Sequence, residues 1–264
     1  MKKYIIFVLI GMVVMTAIPA GAASVGNPKT QGEGKIATDI EWSYIFNRDL
    51  HFEDATRPSG HDADMPINFR ITRGYNILGK IVYGLLNAMD IYVKLGIAKY
   101  DFRGDVFVGD TKKVEEQLSA ENGFIYGGGF KLAYDFKNGW AVGCDAQYLT
   151  SDHKIDFNAS TLSTGAVTVA EYYDCWIQEW HAAPYIAKKI GKITMYAGGR
   201  YSDLRLSQKH PNDSKRWDNL IFSADYKIGV FTGVDWNFGN SFKLNVEGRF
   251  VDELALSVCG ECKF

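Results

Sequence analysis

Proline is scarce in this chain, six in 264 residues, and no low-complexity tract, internal repeat or linker-like stretch interrupts it. With 47% hydrophobic residues, that scarcity excludes a disordered protein, because such a chain buries too little apolar surface to offset its ordering entropy. Basic excess is lacking too: 29 Lys and Arg stand against 31 Asp and Glu, and no concentrated basic patch is present. Nucleic acid is therefore not an expected partner, since its binding rests on clustered cations that displace counterions. No phosphate-cradling glycine loop, nucleophile elbow or HExxH metal motif occurs, so no cofactor, no metal and no enzymatic activity are expected. Beyond the first 22 residues no apolar run approaches the roughly 18 residues a transmembrane helix needs.

Those first 22 residues have their own logic. Lys2 and Lys3 precede an apolar run from Tyr4 to Ala17, and Ala20-Gly21-Ala22 offers small residues where a signal peptidase inspects the chain. A cleaved secretory leader over 1–22 is expected, followed by a short periplasmic segment over 23–34 and one domain over 35–264. The chain is thus read as exported.

What is abundant is alternation. Ile36, Thr38, Ile40, Trp42, Tyr44 and Phe46 share one face of an extended segment, and Ala37, Asp39, Glu41 and Ser43 the other. The period of two returns at Phe124, Tyr126, Phe130, Leu132, Tyr134 and Phe136, and Asn138-Gly139 then reverses the chain into Trp140, Val142, Cys144, Ala146 and Tyr148. Ten strands are expected, over 35–47, 66–83, 90–102, 122–136, 140–153, 174–189, 193–207, 219–238, 241–251 and 254–264, with eight or twelve as alternatives. Long polar connections (48–65, 103–121, 154–173, 208–218) alternate with tight ones (84–89, 137–139, 190–192, 239–240), and the 252–253 link is short on the long-loop side.

A soluble sandwich also alternates, but its apolar faces are covered by a second sheet. Here they gather Trp140, Tyr148, Trp180, Tyr201, Trp236 and Phe238, several near strand ends where an aromatic girdle meets lipid headgroups, while the opposite faces hold charges and glycines. Long loops on one side, tight turns on the other and an even strand count predict an all-β, antiparallel up-and-down transmembrane β-barrel, whose closure pairs every backbone group in lipid. A secreted soluble β-protein is the alternative fold.

The leader, the strands, the Tyr83-Gly84 to Asp90-Ile91-Tyr92-Val93 hairpin and the closing Lys263-Phe264 resemble small bacterial outer-membrane β-barrel proteins of the porin-like and OmpA-like class. The resemblance covers the whole mature chain and implies residence in the outer-membrane lipid of a Gram-negative cell envelope, with the termini in the periplasm and four longer loops outside. It also implies recognition by the barrel assembly machinery through a C-terminal aromatic, here Phe264, preceded at alternate positions by Cys262, Gly260, Val258, Leu256 and Leu254.

Projecting the alternation inward places Asp39, Glu41, Arg70, Lys94, Lys131, Asp135, Asp145, Glu179, His181, Arg200, Asp225, Lys227, Asp235, Lys243, Glu247 and Arg249 in the lumen. Ten strands enclose little more than side chains fill, and charges held there must pair. The lumen is read as a salt-bridged plug or, where inward glycines such as Gly143 and Gly233 leave space, as a narrow pore for ions or small polar solutes. Ten-stranded outer-membrane barrels also resemble the omptin proteases, which set Asp and His pairs at the extracellular rim. The matching candidates are His61-Asp62-Ala63-Asp64 and Asp152-His153, without that family's Asp-x-His spacing.

The four cysteines read as inert thiols. Cys144 and Cys175 would sit on the order of 30 Å apart along neighbouring strands, and Cys259 and Cys262, three apart on one strand, point to opposite faces.

Overall fold

The computed structural model describes residues 24–56, 67–108, 111–161, 167–209, 219–239 and 241–264. Twelve antiparallel strand segments follow one another: β1 (Ile36–Thr56), β2 (Ile67–Leu86), β3 (Met89–Val108), β4 (Thr111–Ala120), β5 (Gly123–Asp135), β6 (Trp140–Thr161), β7 (Val167–Ile190), β8 (Ile193–Lys209), β9 (Asn219–Ala224), β10 (Ile228–Asn237), β11 (Phe242–Phe250) and β12 (Leu254–Lys263). No helix occurs among the described residues. The leader region, the His61–Asp64 candidates and much of the expected 154–173 and 208–218 loops lie outside the described residues or their described side chains.

The sheet closes on itself in two different ways at its two ends. At the end of the tight turns, β5 lies between β3 and β6, β10 lies between β8 and β11, and β12 pairs with β1 from Ala37–Lys263 to Asn47–Leu254. Ten staves ring this half. At the loop end, β4 replaces β5 between β3 and β6, and β9 pairs β8 on one side and the upper part of β1 on the other, from Leu50–Ala224 to Thr56–Asn219. The β11–β12 hairpin stops short of this level, so the loop half is a ring of eight.

The expected strands all form, but several run further. Segments read as polar loops at 48–65, 103–121 and 154–173 are in large part strand, because β1, β2, β3, β6 and β7 continue past the apolar zone and β4 pairs between them. The expected 219–238 strand is broken between Ala224 and Ile228. Register shifts at Ile45/Asn47 and Ile71/Arg73 invert the side-chain phase of β1 and β2 part-way along.

The outer face follows the polarity of a bilayer. On β6, Trp140, Val142 and Tyr148 point outward and are exposed, with Trp140 near the turn end, and Tyr148 stands in register with Trp180, whose ring lies 5.0 Å from that of Tyr201. Trp140 to Tyr148 covers about 26 Å of strand at about 3.3 Å per residue, or about 20 Å of height at the usual tilt of about 40°. Above that level Phe124 and Trp176, both in register with Asp152, are still exposed, and charged residues join them, among them His51, Arg73, Lys154 and Arg205.

Candidate functional site: the filled lumen

The interior of the ten-stave half is polar and charged. Lys80 pairs with Asp39 at 3.2 Å, Lys94 with Glu41 at 2.8 Å, and Lys243 with Glu261 at 3.2 Å and Asp235 at 4.0 Å. Asp145 accepts from Tyr92 Oη at 2.8 Å and lies 3.4 Å from His181 Nε2 and 3.8 Å from Lys131 Nζ. All of these groups are buried, where an unmatched charge costs several kcal/mol.

The same half holds a piece of chain that belongs to no stave. Within the segment expected as short and periplasmic over 23–34, residues 24–31 form a strap inside this half, and Glu33, Gly34 and Lys35 are exposed where the chain leaves for β1. Ser24, Val25, Asn27 and Gln31 are buried. The Ser24 amide donates to Glu41, the Val25 amide to both oxygens of Glu247 at 3.2 Å, and Asn27 Nδ2 to Glu261 at 3.0 Å. Gln31 donates from its amide to Asp90 at 3.0 Å and from its side chain to Glu261 at 2.9 Å. The strap's carbonyls are taken up in turn: Lys131 donates to those of Val25 and Asn27, and Tyr185 Oη to that of Pro28 at 3.0 Å.

A second cluster lies where the β11–β12 hairpin ends. Val251 takes a φ of 83°, a left-handed conformation that a β-branched residue rarely adopts, and the turn it makes brings Asp252 and Glu253 inward. Three guanidinium groups meet them. Arg200 contacts Glu253, Glu179 and Asp252, Arg48 reaches Glu179 at 2.8 Å and Glu253 at 3.3 Å, and Arg249 reaches Glu253 at 2.8 Å and Glu247 at 3.3 Å.

The eight-stave half is filled differently. Ile45, Leu50, Phe69, Ile71, Leu78, Tyr100, Phe102, Leu118, Ile125, Leu149, Ile155, Ile177, Leu204, Leu206 and Phe222 form one buried apolar cluster. Phe69 stacks on Phe222 at 4.4 Å and on Phe102 at 5.5 Å. In this half the sheet is turned inside out relative to the belt: apolar side chains point in and charged ones point out to water.

The inward glycines do not leave a passage. Gly143 stands opposite Tyr185 in register, and a Cβ there would lie 2.4 Å from the tyrosine ring; Gly233 stands opposite Tyr196, with the corresponding contact at 2.3 Å. Each glycine seats a tyrosine folded across it, the cross-strand rescue of glycine by an aromatic ring. The ring occupies the space the missing side chain leaves.

Of the residues projected into the lumen, Asp39, Glu41, Lys94, Lys131, Asp145, His181, Arg200, Asp235, Lys243, Glu247 and Arg249 are buried, and Glu179 is half-buried within the arginine cluster. Four need correction. Arg70 lies between the buried Phe69 and Ile71 and so faces outward, because the bulge at Ile71/Arg73 inverts the phase carried up from Lys80. Asp225 and Lys227 fall in the break between β9 and β10 and turn out, to His51 at 3.1 Å and Asp203 at 3.1 Å respectively. Asp135 is at the turn-end rim, exposed, paired with Lys29 of the strap at 2.6 Å. The alternation missed Arg48, which the bulge at Ile45/Asn47 brings inward, and Asp252 and Glu253, which lie in a link read as a loop. It also missed Lys80, Asp90 and Glu261, whose inward positions follow from simple alternation.

Asp152 and His153 do not form a pair: Asp152 is exposed, and His153, buried on the opposite face, places Nε2 2.8 Å from Ser151 Oγ and Nδ1 3.1 Å from the Glu121 carbonyl. Cys144, Cys175, Cys259 and Cys262 are all free thiols. Among the described residues no three His, Cys, Asp or Glu side chains are arranged to hold a metal ion.

No family model and no curated protein matches this chain. Solved structures do. The outer membrane protease OmpT from Escherichia coli superposes with a TM-score of 0.57 over 92% of this chain and 99% of that one, at 10% identity. The chain has the fold of an outer-membrane β-barrel. The outer membrane protein OprG from Pseudomonas aeruginosa, at a TM-score of 0.41 and 8% identity over 90% of this chain and 99% of that one, is also found. So is the translocator domain of the autotransporter NalP from Neisseria meningitidis, at 0.43 and 9% identity over 89% of each chain. At such identities the fold is what is shared.

Proposed function

We propose that this protein is a closed structural barrel of the bacterial outer membrane that anchors and raises its loop end, and that it neither conducts nor catalyses. The observation carrying this reading is that both levels of the interior are occupied, the ten-stave half by paired charges and the strap, the eight-stave half by the apolar cluster. Water and ions cross a barrel along a continuous polar path, and a plug of packed aromatic and aliphatic side chains removes that path.

The staves support the anchoring role. β6 has 22 residues, of which the outer belt from Trp140 to Tyr148 uses fewer than half. The remainder rises on the order of 30 Å above the belt. Where side chains are described above the belt, the exterior carries charges suited to water, such as Lys154 and Arg205, so the barrel continues past the lipid as a stalk, and loops at its tip would make whatever contact the protein makes. Phe264, exposed at the foot of the β12–β1 seam, is the residue assigned to recognition by the assembly machinery.

Planar-bilayer recording on the folded mature protein, checked for a gel-mobility shift on boiling, tests the reading. A silent membrane is expected. Discrete current steps that scale with salt and change with Arg200→Ala would replace the closed barrel with a pore.

A further inference from the structure

The turn end is strongly charged on one side only. Four lysines stand on two neighbouring turns, Lys137 between β5 and β6 and Lys188, Lys189 and Lys192 between β7 and β8; Lys188 is half-buried and the others are exposed. Asp135 is the one acidic residue these turns contain, and Lys29 of the strap already holds it at 2.6 Å. The other two tight turns, over 84–89 and 237–241, contain no charged residue, and elsewhere on the rim Lys35 has Glu33 close by in the chain and Lys263 pairs with Glu261 at 3.5 Å. A general girdle of interfacial lysines would be spread over all four turns. This one is gathered into a sector.

Directly above the lysines the outer face sinks. On β7 the outward positions read, from the turn upward, Lys188, Ile186, Pro184, Ala182 and Trp180. Cys144 stands in register with Pro184 and Ala146 with Ala182, and beside them on β8 is Gly199, where an added Cβ would meet nothing within 4 Å. Leu132 and Phe130, in register with Cys144 and Ala146, bank this trough on one side, and Val230, in register with Gly199, banks it on the other. The rings of Tyr148, Trp180 and Tyr201 close it above. Pro184 is four residues from Lys188, about 13 Å of strand or about 10 Å of height, which is the depth of the acyl chains in the leaflet at the turn end. Lys188 is fixed at the mouth of the trough: its Nζ donates to the Asn138 carbonyl at 3.0 Å and lies 4.8 Å from the centre of the Trp140 ring.

We propose that this sector binds an anionic phospholipid of the periplasmic leaflet, the four lysines taking its headgroup phosphate and an acyl chain lying in the trough below Trp180. Cations alone would accept any anion, but these stand at headgroup level, and the apolar trough leading away from them suits a chain attached to the phosphate. A headgroup that carries its own ammonium cancels the charge the lysines attract, so one with a net negative charge is preferred. The site lies wholly on the outer face. The proposal therefore rests on residence in the outer membrane and not on closure of the lumen.

The test folds three proteins into vesicles of equal parts phosphatidylglycerol and phosphatidylethanolamine: the native chain, a variant with Lys137→Gln, Lys188→Gln, Lys189→Gln and Lys192→Gln, and Gly199→Leu. Each is checked for its boiling-dependent mobility shift and extracted in mild non-ionic detergent, and the lipids it retains are counted by native mass spectrometry. The native chain should retain phosphatidylglycerol over phosphatidylethanolamine by at least about fivefold, the equivalent of one lysine engaged at an anionic surface. The four-Gln variant should retain the two at the ratio of the mixture. Gly199→Leu fills the trough without touching a charge and should lower retention of phosphatidylglycerol by at least about fourfold, the equivalent of one buried methylene. Inorganic phosphate in excess should not displace the lipid. Retention by the native chain at the ratio of the mixture would overturn the proposal, as would unchanged retention by either variant, or displacement by inorganic phosphate. If the four-Gln variant does not fold, the native chain at high salt decides: screening of exposed charges should bring its ratio down to that of the mixture, and an unchanged ratio would overturn the proposal. Current steps in a planar bilayer with selective retention would remove the closed barrel and leave this site standing, and a silent bilayer with unselective retention would do the reverse.

Discussion

The two halves of the interior solve one problem with opposite chemistry. In the loop half, eight staves enclose a space that their own inward side chains fill, and Phe69, Phe102 and Phe222 stack across it. In the turn half, ten staves enclose more than their side chains reach, and two further pieces of chain enter: the strap over 24–31 and the inturned Asp252 and Glu253. Those pieces bring backbone amides and carbonyls that need partners, so the wall around them is charged rather than apolar. Ring size thus decides whether a barrel of this kind fills itself or borrows chain, and borrowed chain dictates a polar wall.

Arg200→Ala should show the largest effect, because it strips Glu179, Asp252 and Glu253 of a shared guanidinium within a buried cluster. A loss of about 3–5 kcal/mol in urea unfolding from lipid vesicles is expected. A loss below about 1 kcal/mol would mean that the inturned hairpin end is not held by charge. Leu206→Ala, fully buried in the apolar half, should lose about 2–5 kcal/mol and leave tryptic cleavage at Lys29 as slow as in the native protein. Coupling between the two would erase the division into independent halves.

Gly233→Ala tests how the wider half is sealed. The new methyl meets the Tyr196 ring and should cost about 1–3 kcal/mol, most of it recovered against a Tyr196→Ala background in a double-mutant cycle. Additive losses would show that the glycine does not seat the ring. Lys29→Ala should have the smallest effect, under about 1 kcal/mol, since its partner Asp135 sits at the exposed rim. A larger loss would make that rim pair, rather than the buried contacts, what holds the strap.

The staves and the lipid belt were legible in the sequence because both follow from a period of two with aromatics at its ends, as from Trp140 to Tyr148. The interior was legible only as far as that phase holds. On β8 the apolar residues sit at odd positions from Ile193 to Tyr201 and at even ones from Leu204 to Leu206, although the backbone has no irregularity there. What switches is the surroundings, from lipid outside and charge inside to water outside and an apolar core inside. On β1 and β2 the bulges do switch the backbone, which is why Arg48 was missed and Arg70 was placed inside. The strap left no periodic trace, because Ser24, Asn27 and Gln31 are held by partners contributed from distant staves.

Each half carries its own native reporter, Cys259 inward in the turn half and Cys175 inward in the loop half, both buried. The decisive measurement is the rate at which a small water-soluble thiol reagent modifies each cysteine, resolved by peptide mass, in the folded native protein and in a folded chain starting at Lys35. Protection of both in the native protein, followed by exposure of Cys259 alone when the strap is gone, is the predicted result. Labelling of Cys175 in either protein at the rate of its unfolded form would contradict an apolar seal across the loop half.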